Sequence, residues 1–241
     1  MIRKLIIFIW TLLFTAFMAV MVILFSILCA GEDTAHKVGR IWAKCLLGVS
    51  KIKVSLKGFS NINLNRPHIY MANHTSNFDI PVLQACLPVH FKWLAKSELF
   101  KIPIFGFAMK RAGYISIDRS DKESAIQSLQ TAAKIIQSGA SVIIFPEGTR
   151  SRNQNVQPFK KGGFVLAVDS GVPIVPVILH GTWKIMPKNQ FFIEPGHVVV
   201  EIKKPIESSD YTRETKDLLI GKIRTVIMES LKNGQKNGSL C

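Results

Sequence analysis

The distribution of apolar positions divides the chain into an N-terminal helical part and a longer mixed part. From Leu5 to Ala30 there are 26 consecutive residues without a charge, and at about 1.5 Å per residue this run exceeds the roughly 20 residues that cross a bilayer as a helix. Residues 34–49 repeat their apolar positions at the i, i+3, i+4, i+7 spacing of an amphipathic helix with basic residues on its flank. Asp33 or Thr34 is expected to cap this second helix. We therefore predict that residues 1–50 form two membrane-anchoring helices.

Two alternatives remain open for this region. Arg3 and Lys4 precede the apolar run, as in a cleaved signal peptide, although the apolar part of a signal peptide is usually only about 7–15 residues long. The amphipathic helix could also pack against the following domain, as well as or instead of lying at the lipid interface. Basic residues occur on both sides of the apolar run, so their distribution does not fix its orientation.

Past residue 51 the pattern predicts strands that alternate with helices. Residues 52–56 alternate strictly between apolar and polar, and six further short apolar runs are typical of buried strands. These runs are HIYMAN, VHFKWLAK, GYISID, SVIIF, PIVPVILH and HVVVEI. The clearest helical pattern runs from Ser120 or Asp121 to Ser138. We predict an α/β domain over residues 51–232, with a mostly parallel central sheet flanked by helices, and a polar tail at 233–241.

Charge and cysteine content narrow the classes of partner and site. Lys and Arg outnumber Asp and Glu by 31 to 16, which favours an anionic partner such as a lipid surface or a phosphorylated substrate, unless the basic residues only form a solvated face. Nucleic acid is not expected as a partner, because the chain carries no recognised nucleic-acid motif. The four cysteines are scattered, without a C-x-x-C pair or histidines at metal-ligand spacing. We expect free thiols, no metal site and a catalytic domain that faces the cytosol.

A histidine and an aspartate follow one predicted strand. His74 comes directly after HIYMAN, at the edge of the sheet where α/β proteins usually bind ligands. If a helix begins near Ser76, His74 lies in the preceding turn and Asp79 in the first helical turn, where a carboxylate can orient an imidazole as a general base. Ser76-x-x-Asp79 also matches a helix capping box, and the two interpretations are not exclusive. Because there is no G-x-S-x-G motif and Cys86 lies in an apolar helical pattern, the base is expected to activate a hydroxyl of the substrate directly.

A second polar motif, FPEGTRS at residues 145–151, is expected at the same edge of the sheet. Gly148 allows a ligand to approach the backbone, and the planar guanidinium of Arg150 suits a phosphate. Glu147 could orient Arg150 or accept a hydrogen bond from a substrate hydroxyl. Arg119 follows another predicted strand. These loops predict an anion site, and the alternative is a set of surface turns.

Four segments carry a resemblance to a known family. NHTSNFDIP, GYISIDR, FPEGTRS and VPIVPV occur in this order over residues 73–177 and resemble the sequence blocks of the glycerolipid acyltransferases, specifically the bacterial 1-acyl-sn-glycerol-3-phosphate acyltransferases. With KWLAKSELFKIPIFG between the first two blocks, the resemblance covers most of residues 50–205. The second block usually carries an aromatic residue where this chain has Ser116, a departure that concerns the acceptor rather than the chemistry.

The resemblance implies roles for eight residues. His74 is implied as the general base and Asp79 as the residue that holds its imidazole, while the acceptor and its phosphate are implied to bind Arg119, Glu147, Gly148, Thr149 and Arg150, with Lys96 as a further candidate. The reaction implied is transfer of an acyl chain from acyl-CoA or acyl carrier protein, as co-substrate without a cofactor, to the sn-2 hydroxyl of lysophosphatidic acid. The product would be phosphatidic acid for phospholipid biosynthesis.

The implied location is the cytoplasmic membrane, because the N-terminal pair of helices is similar to the two-helix membrane element of the bacterial enzymes. Membrane phospholipids, the lysophospholipid and the acyl donor are then the expected partners. Three other functions remain open: acylation of a different lysolipid or an amino-acid lipid, thioester hydrolysis with the same base, and non-catalytic lipid or phosphate binding at the membrane.

Overall fold

A computed structural model describes residues 2–28, 31–152 and 155–236, which form seven α-helices and seven strands of one sheet. The helices are α1 (Ile2–Leu28), α2 (Glu32–Val49), α3 (Asp79–Cys86), α4 (Phe105–Arg111), α5 (Lys122–Gln137), α6 (Gly162–Ser170) and α7 (Lys216–Lys236). The strands are β1 (Ile52–Lys57), β2 (Ile69–Ala72), β3 (Lys92–Lys96), β4 (Ile115–Ile117), β5 (Val142–Ile144), β6 (Ile174–His180) and β7 (Gly196–Ile202). Each predicted strand segment contains a strand, and the α/β prediction is confirmed.

The sheet places β2 at its centre. The spatial order is β1-β7-β6-β2-β5-β3-β4, and all neighbouring pairs are parallel except β6 and β7. The mostly parallel sheet predicted from the apolar runs is therefore confirmed. Because β2 lies directly beside β5, the turn that follows β2 meets the loop that follows β5 at one edge of the sheet.

Both faces of the sheet are covered by helices. All four residues of β2 are buried, and they alternate between two clusters as strand geometry requires. Tyr70 and Ala72 pack in the cluster that includes side chains of α2 and α3. Ile69 and Met71 pack in the cluster that includes side chains of α5, α6 and α7. Burial on both faces explains why the central strands β2, β5 and β6 are continuous apolar runs, whereas the edge strand β1 alternates between apolar and polar residues.

The two N-terminal helices pack on the α/β domain through small and apolar residues. Met18 and Val22 of α1 and Val38 of α2 form a cluster with Ala108 and Ala112 at α4. In the described residues, α1 is the one helix long and apolar enough to cross a membrane, by length and composition. Little of it is buried inside the protein. Its exposed large side chains are Ile2, Leu5, Ile6, Ile9, Leu12, Leu13, Phe17, Val20, Leu24, Phe25, Ile27 and Leu28. A helix with so much apolar surface outside the protein indicates membrane association.

The N-terminal ends of the helices agree only in part with the ends predicted from the sequence. Asp121, one of the two predicted starts of α5, is its N-cap residue, and its carboxylate accepts a hydrogen bond from the Ser124 N–H at 2.9 Å. The capping prediction for α2 was wrong, since Gly31 is the N-cap residue and no side chain caps the helix. Asp33 lies inside the first turn, where a negative charge interacts favourably with the helix dipole.

The C-terminal helix is longer than the predicted boundary at Lys232. It continues through Lys236, and Gly234 near its end is still buried. Residues 237–241, and with them the rest of the predicted polar tail, lie outside the described residues. Cys45 and Cys86 are free thiols, as predicted; Cys29 and Cys241 lie outside the described residues.

Candidate active site

His74 and Asp79 meet in the turn between β2 and α3. His74 Nδ1 and Asp79 Oδ2 are 2.7 Å apart, and Asp79 is the first residue of α3. The Asp79 side chain is fully buried, whereas 13% of the His74 side chain is exposed. With Nδ1 occupied by the carboxylate, Nε2 is the ring nitrogen available to a ligand, and it makes no hydrogen bond within the described parts of the chain.

The backbone of the turn fixes the position of the Asp79 carboxylate. Oδ2 also accepts hydrogen bonds from the N–H groups of Thr75, at 2.7 Å, and Ser76, at 2.8 Å. The bond to Ser76 is the reach-back contact of a capping box, but the Ser76 hydroxyl bonds to the Phe78 N–H and the Met186 carbonyl. The same carboxylate therefore makes both of the contacts that the spacing suggested. α3 begins three residues later than expected.

Two residues that the sequence did not single out hold the turn and the imidazole. The buried side chain of Asn73 donates to the carbonyl of Leu179 at 3.1 Å and accepts from its N–H at 2.8 Å, which ties the turn to β6. The ring of Phe145 stacks on the His74 imidazole, with centroids 3.8 Å apart and planes 10° apart. These contacts restrict rotation of the imidazole, so Nε2 keeps a fixed direction.

The Glu147 carboxylate holds the backbone of His74. Oε1 accepts a hydrogen bond from the His74 N–H at 2.7 Å, and Oε2 accepts one from the Gln157 N–H at 2.8 Å. Glu147 is 2% exposed, and burial raises the pKa of its carboxyl group, against the opposing effect of these two N–H donors. Both oxygens are already bonded to backbone, so the geometry differs from the expected contact with Arg150 or with a substrate hydroxyl.

Gly148 allows cationic side chains to approach the loop after β5. It has a φ of 72°, in the region that favours glycine, and a Cβ there would lie 2.9 Å from a guanidinium nitrogen of Arg119 and 3.3 Å from Cγ of Lys160. The next residue, Thr149, accepts a hydrogen bond from Lys188 Nζ at 3.3 Å. Lys160 and Lys188 therefore add two cations to the predicted set. Their signals in the sequence were a lysine pair before Gly-Gly and an isolated lysine after Pro187.

The arginines of this region are available to a ligand. Among the described residues, neither Arg119 nor Arg150 has a hydrogen-bonded or ion-paired partner. Lys96 is the last residue of β3, and Arg119 follows β4 closely. Both therefore lie at the same edge of the sheet as His74. Unpaired guanidinium groups that line one cavity suit a phosphate or another anion.

A cavity of about 440 Å³ joins these groups to the N-terminal helices. Its polar wall includes His74, Lys96, Arg119, Gly148, Thr149 and Arg150. Three helices contribute much of its apolar wall, through Met18, Ala19 and Val22 of α1, Ala35, Val38 and Trp42 of α2, and Ala108 and Met109 of α4. The volume is within the range of roughly 300–1,000 Å³ that is usual for ligand sites. Such a cavity suits a molecule with a long apolar part and an anionic head.

Six of the eight predicted site residues line this cavity, and two lie behind it. Asp79 and Glu147 are outside the lining and act on His74, through its ring nitrogen and its backbone N–H respectively. The site therefore combines an imidazole that can accept a proton, unpaired cationic side chains and the apolar wall of the cavity. It contains the parts needed for base-assisted attack by a hydroxyl on an electrophile.

Comparisons with known proteins agree with this chemistry. The model of the acyltransferase family matches residues 53–180. A chloroplastic 1-acyl-sn-glycerol-3-phosphate acyltransferase of Brassica napus is 37% identical over 81% of this chain, which spans 56% of that relative's length. The 1-acyl-sn-glycerol-3-phosphate acyltransferase of Saccharomyces cerevisiae is 32% identical over 86% of this chain and 70% of its own.

A solved structure is similar over almost the whole chain. The crystal structure of the 1-acyl-sn-glycerophosphate (LPA) acyltransferase PlsC from Thermotoga maritima has a TM-score of 0.81 and 27% identity, and the match covers 97% of each chain. The match therefore includes the N-terminal helices as well as the α/β domain.

Proposed function

The chain belongs to the acyltransferase family, and we propose that it transfers an acyl group from an acyl thioester to the sn-2 hydroxyl of lysophosphatidic acid, giving phosphatidic acid. The observation that carries the proposal is the 2.7 Å contact between His74 and Asp79 in the wall of a cavity that is apolar on one side and cationic on the other. Relatives named 1-acyl-sn-glycerol-3-phosphate acyltransferases, together with a structural neighbour named for LPA, support lysophosphatidic acid as the acceptor.

The proposed reaction needs no covalent intermediate on the protein. His74 Nε2 accepts the proton of the acceptor hydroxyl while its oxygen attacks the thioester carbonyl. The tetrahedral intermediate collapses, the carbon–sulfur bond breaks, and the leaving thiolate takes the proton from the imidazolium. Asp79 keeps the proton of neutral His74 on Nδ1 and stabilises the imidazolium that forms. General base catalysis of this kind contributes about 10²- to 10⁴-fold.

The acceptor phosphate is proposed to bind the cationic wall. Arg119 and Arg150 are the main candidates because a guanidinium can donate two parallel hydrogen bonds to a phosphate. Gly148 and Thr149 would bring the loop close to the head group, with Lys96 as a further contact. Glu147 would act as a positioning residue, since its carboxylate holds the backbone of His74.

The apolar part of the cavity is proposed to hold an acyl chain. Residues of α1 and α2 contribute to its wall, so the membrane-anchoring unit, residues 1–50, also completes the site of the catalytic domain, residues 51–232. The donor is proposed to be acyl-CoA or acyl carrier protein. Both carry anionic groups that a chain of net charge +15 would attract.

The position of α1 favours a membrane contact on one side of the bilayer. The catalytic domain is proposed to face the cytosol, which its free cysteines favour. Near the start of α1, Lys4 pairs with Glu194. Near its end, Ser26 accepts a hydrogen bond from Arg111 Nε at 3.0 Å. A helix of 27 residues is about 40 Å long, and one that crossed the bilayer away from the domain could not keep both contacts. We therefore propose that α1 lies in one leaflet.

Product analysis by mass spectrometry tests the proposal. Purified protein in detergent receives acyl-CoA or acyl carrier protein, each with lysophosphatidic acid, lysophosphatidylcholine or a monoacylglycerol. Phosphatidic acid and free thiol are expected to form in equal amounts. If product forms only from a different lysolipid, that lysolipid is the acceptor instead of lysophosphatidic acid. Free fatty acid formed without any acceptor would indicate a hydrolase. If neither donor is used with any acceptor, the proposal of acyl transfer fails.

A further inference from the structure

The segment between β3 and β4 exposes a cluster of large apolar side chains outside the N-terminal helices. Residues 97–111 form a short 3₁₀-helix, Ser97–Lys101, followed by α4. Leu99 is 38% exposed, and Ile102, Ile104 and Phe107 are 45%, 49% and 50% exposed. Single exposed apolar residues are common on protein surfaces, but a cluster of four within nine residues indicates a contact surface.

Ile104 holds an unfavourable backbone conformation at the tip of this segment. Its φ of 62° and ψ of −60° belong to a γ-turn, which the hydrogen bond from the Phe105 N–H to the Pro103 carbonyl closes at 2.6 Å. A positive φ is rare for a β-branched residue, and an exposed turn would ordinarily use glycine or asparagine here. The turn keeps an isoleucine side chain on the outside of the protein, where water is a poor environment for it.

Exposed basic residues flank and interrupt the apolar cluster along the chain. Lys96, Lys101, Lys110 and Arg111 are exposed, and Glu98 is the one acidic residue between positions 96 and 111. Arg111 is hydrogen bonded to Ser26, but the three lysines have no ion-pair partner among the residues that the structure describes. An apolar patch with a cationic border is the pattern of proteins that insert side chains into an anionic lipid interface.

The segment that carries the cluster packs directly against α1. Arg111 donates to the side chain and the carbonyl of Ser26 at 3.0 and 2.8 Å, and Ala108 and Ala112 pack in the same cluster as Met18 and Val22. The inner side of the segment lines the large cavity through Phe105 and Met109, and the partly exposed Leu99 lines it as well. Its outer side carries Ile104 and Phe107. The segment therefore separates the cavity from the surroundings.

From these observations we propose that residues 97–111 insert into the lipid interface beside α1, with Ile102, Ile104 and Phe107 among the acyl chains and Lys101 and Lys110 at anionic head groups. The membrane then contacts the α/β domain itself and reaches the wall of the cavity. This inference concerns membrane docking, and it does not depend on which acceptor the protein uses.

Site-specific depth measurements on the full chain test the inference. In a variant whose four native cysteines are replaced by serine or alanine, Ile104→Cys and Phe107→Cys each receive an environment-sensitive fluorophore. Leu218→Cys is the control, because Leu218 is 69% exposed on α7, which packs on the other face of the sheet from α2 and α3. The proteins are reconstituted in vesicles of phosphatidylcholine and phosphatidylglycerol, and only variants that keep the parent unfolding temperature are compared.

The labels at positions 104 and 107 should lie roughly 5–10 Å below the head groups and lose about half or more of their emission to nitroxide-labelled lipids. Aqueous iodide should quench them little, whereas the label at position 218 should show the reverse. Equal access of iodide to all three positions would overturn the inference. Shielding of positions 104 and 107 by an added acidic carrier protein, without quenching by lipids, would assign the surface to a protein partner and would also overturn it.

Discussion

Replacing Glu147 with glutamine tests whether this carboxylate positions His74 or contacts the acceptor. In the parent, its two oxygens accept hydrogen bonds of 2.7 and 2.8 Å from the N–H groups of His74 and Gln157. Glutamine keeps one acceptor oxygen but turns an NH₂ group toward the other N–H. One buried N–H is then left unpaired, which costs about 1–3 kcal/mol. For a domain of this size each kcal/mol lowers Tm by about 2–4 °C, so we expect a fall of roughly 2–12 °C.

The same variant should lower turnover more than acceptor binding. A displacement of His74 of about 1 Å can cost up to roughly 100-fold in rate, so kcat should fall by about 10- to 100-fold while KM for lysophosphatidic acid changes little. Glu207→Gln is the control, because Glu207 forms a surface pair with Arg66 in which both side chains are 42% exposed, and such pairs contribute about 1 kcal/mol or less. An unchanged Tm and kcat with a raised KM for the acceptor would refute the positioning role.

Three further substitutions test the two walls of the cavity. Arg150→Ala should raise KM for lysophosphatidic acid about tenfold or more and leave KM for a monoacylglycerol unchanged; an equal rise for both acceptors would contradict phosphate binding. Lys188→Gln should raise KM for the phosphate acceptor by a smaller factor than Arg150→Ala. The control Lys184→Gln, at an exposed position nearby, should leave this KM unchanged. Equal KM values for the two lysine variants would exclude a specific role for Lys188. Ala19→Leu fills the apolar wall and should shift products toward shorter acyl chains in competition assays, while Ala16→Leu on the exposed side of α1 should not.

The sequence predicts the sheet and the His74–Asp79 contact because both depend on local patterns. Alternation marks β1 and apolar runs of strand length mark the other six strands, and the polar turn after HIYMAN places the two side chains within five residues of each other. α3 begins later than Ser76, yet the contact forms because Asp79 is the first helical residue. The predicted contact between His74 and Asp79 is therefore found even though the predicted helix start was three residues too early.

The contacts that support the His74–Asp79 pair could not be predicted in the same way. The order of strands places β5 beside β2, and only this neighbourhood brings Glu147 to the backbone N–H of His74. Nothing in the motif FPEGTRS distinguishes a carboxylate that binds a backbone group from one that binds a ligand. Asn73 and Lys188 depend on contacts with residues 106 and 39 positions away. Such contacts leave no local periodic signal.

The most direct test of the account is the rate at which His74→Ala forms phosphatidic acid. Mass spectrometry would follow the product from acyl-CoA or acyl carrier protein and lysophosphatidic acid, with His90→Ala as the control, since His90 is 40% exposed and does not line the cavity. A loss of about 100-fold or more in His74→Ala at an unchanged Tm, with His90→Ala close to the parent, is the predicted result. A folded His74→Ala variant that retains the parent rate would contradict the role of His74 as the general base.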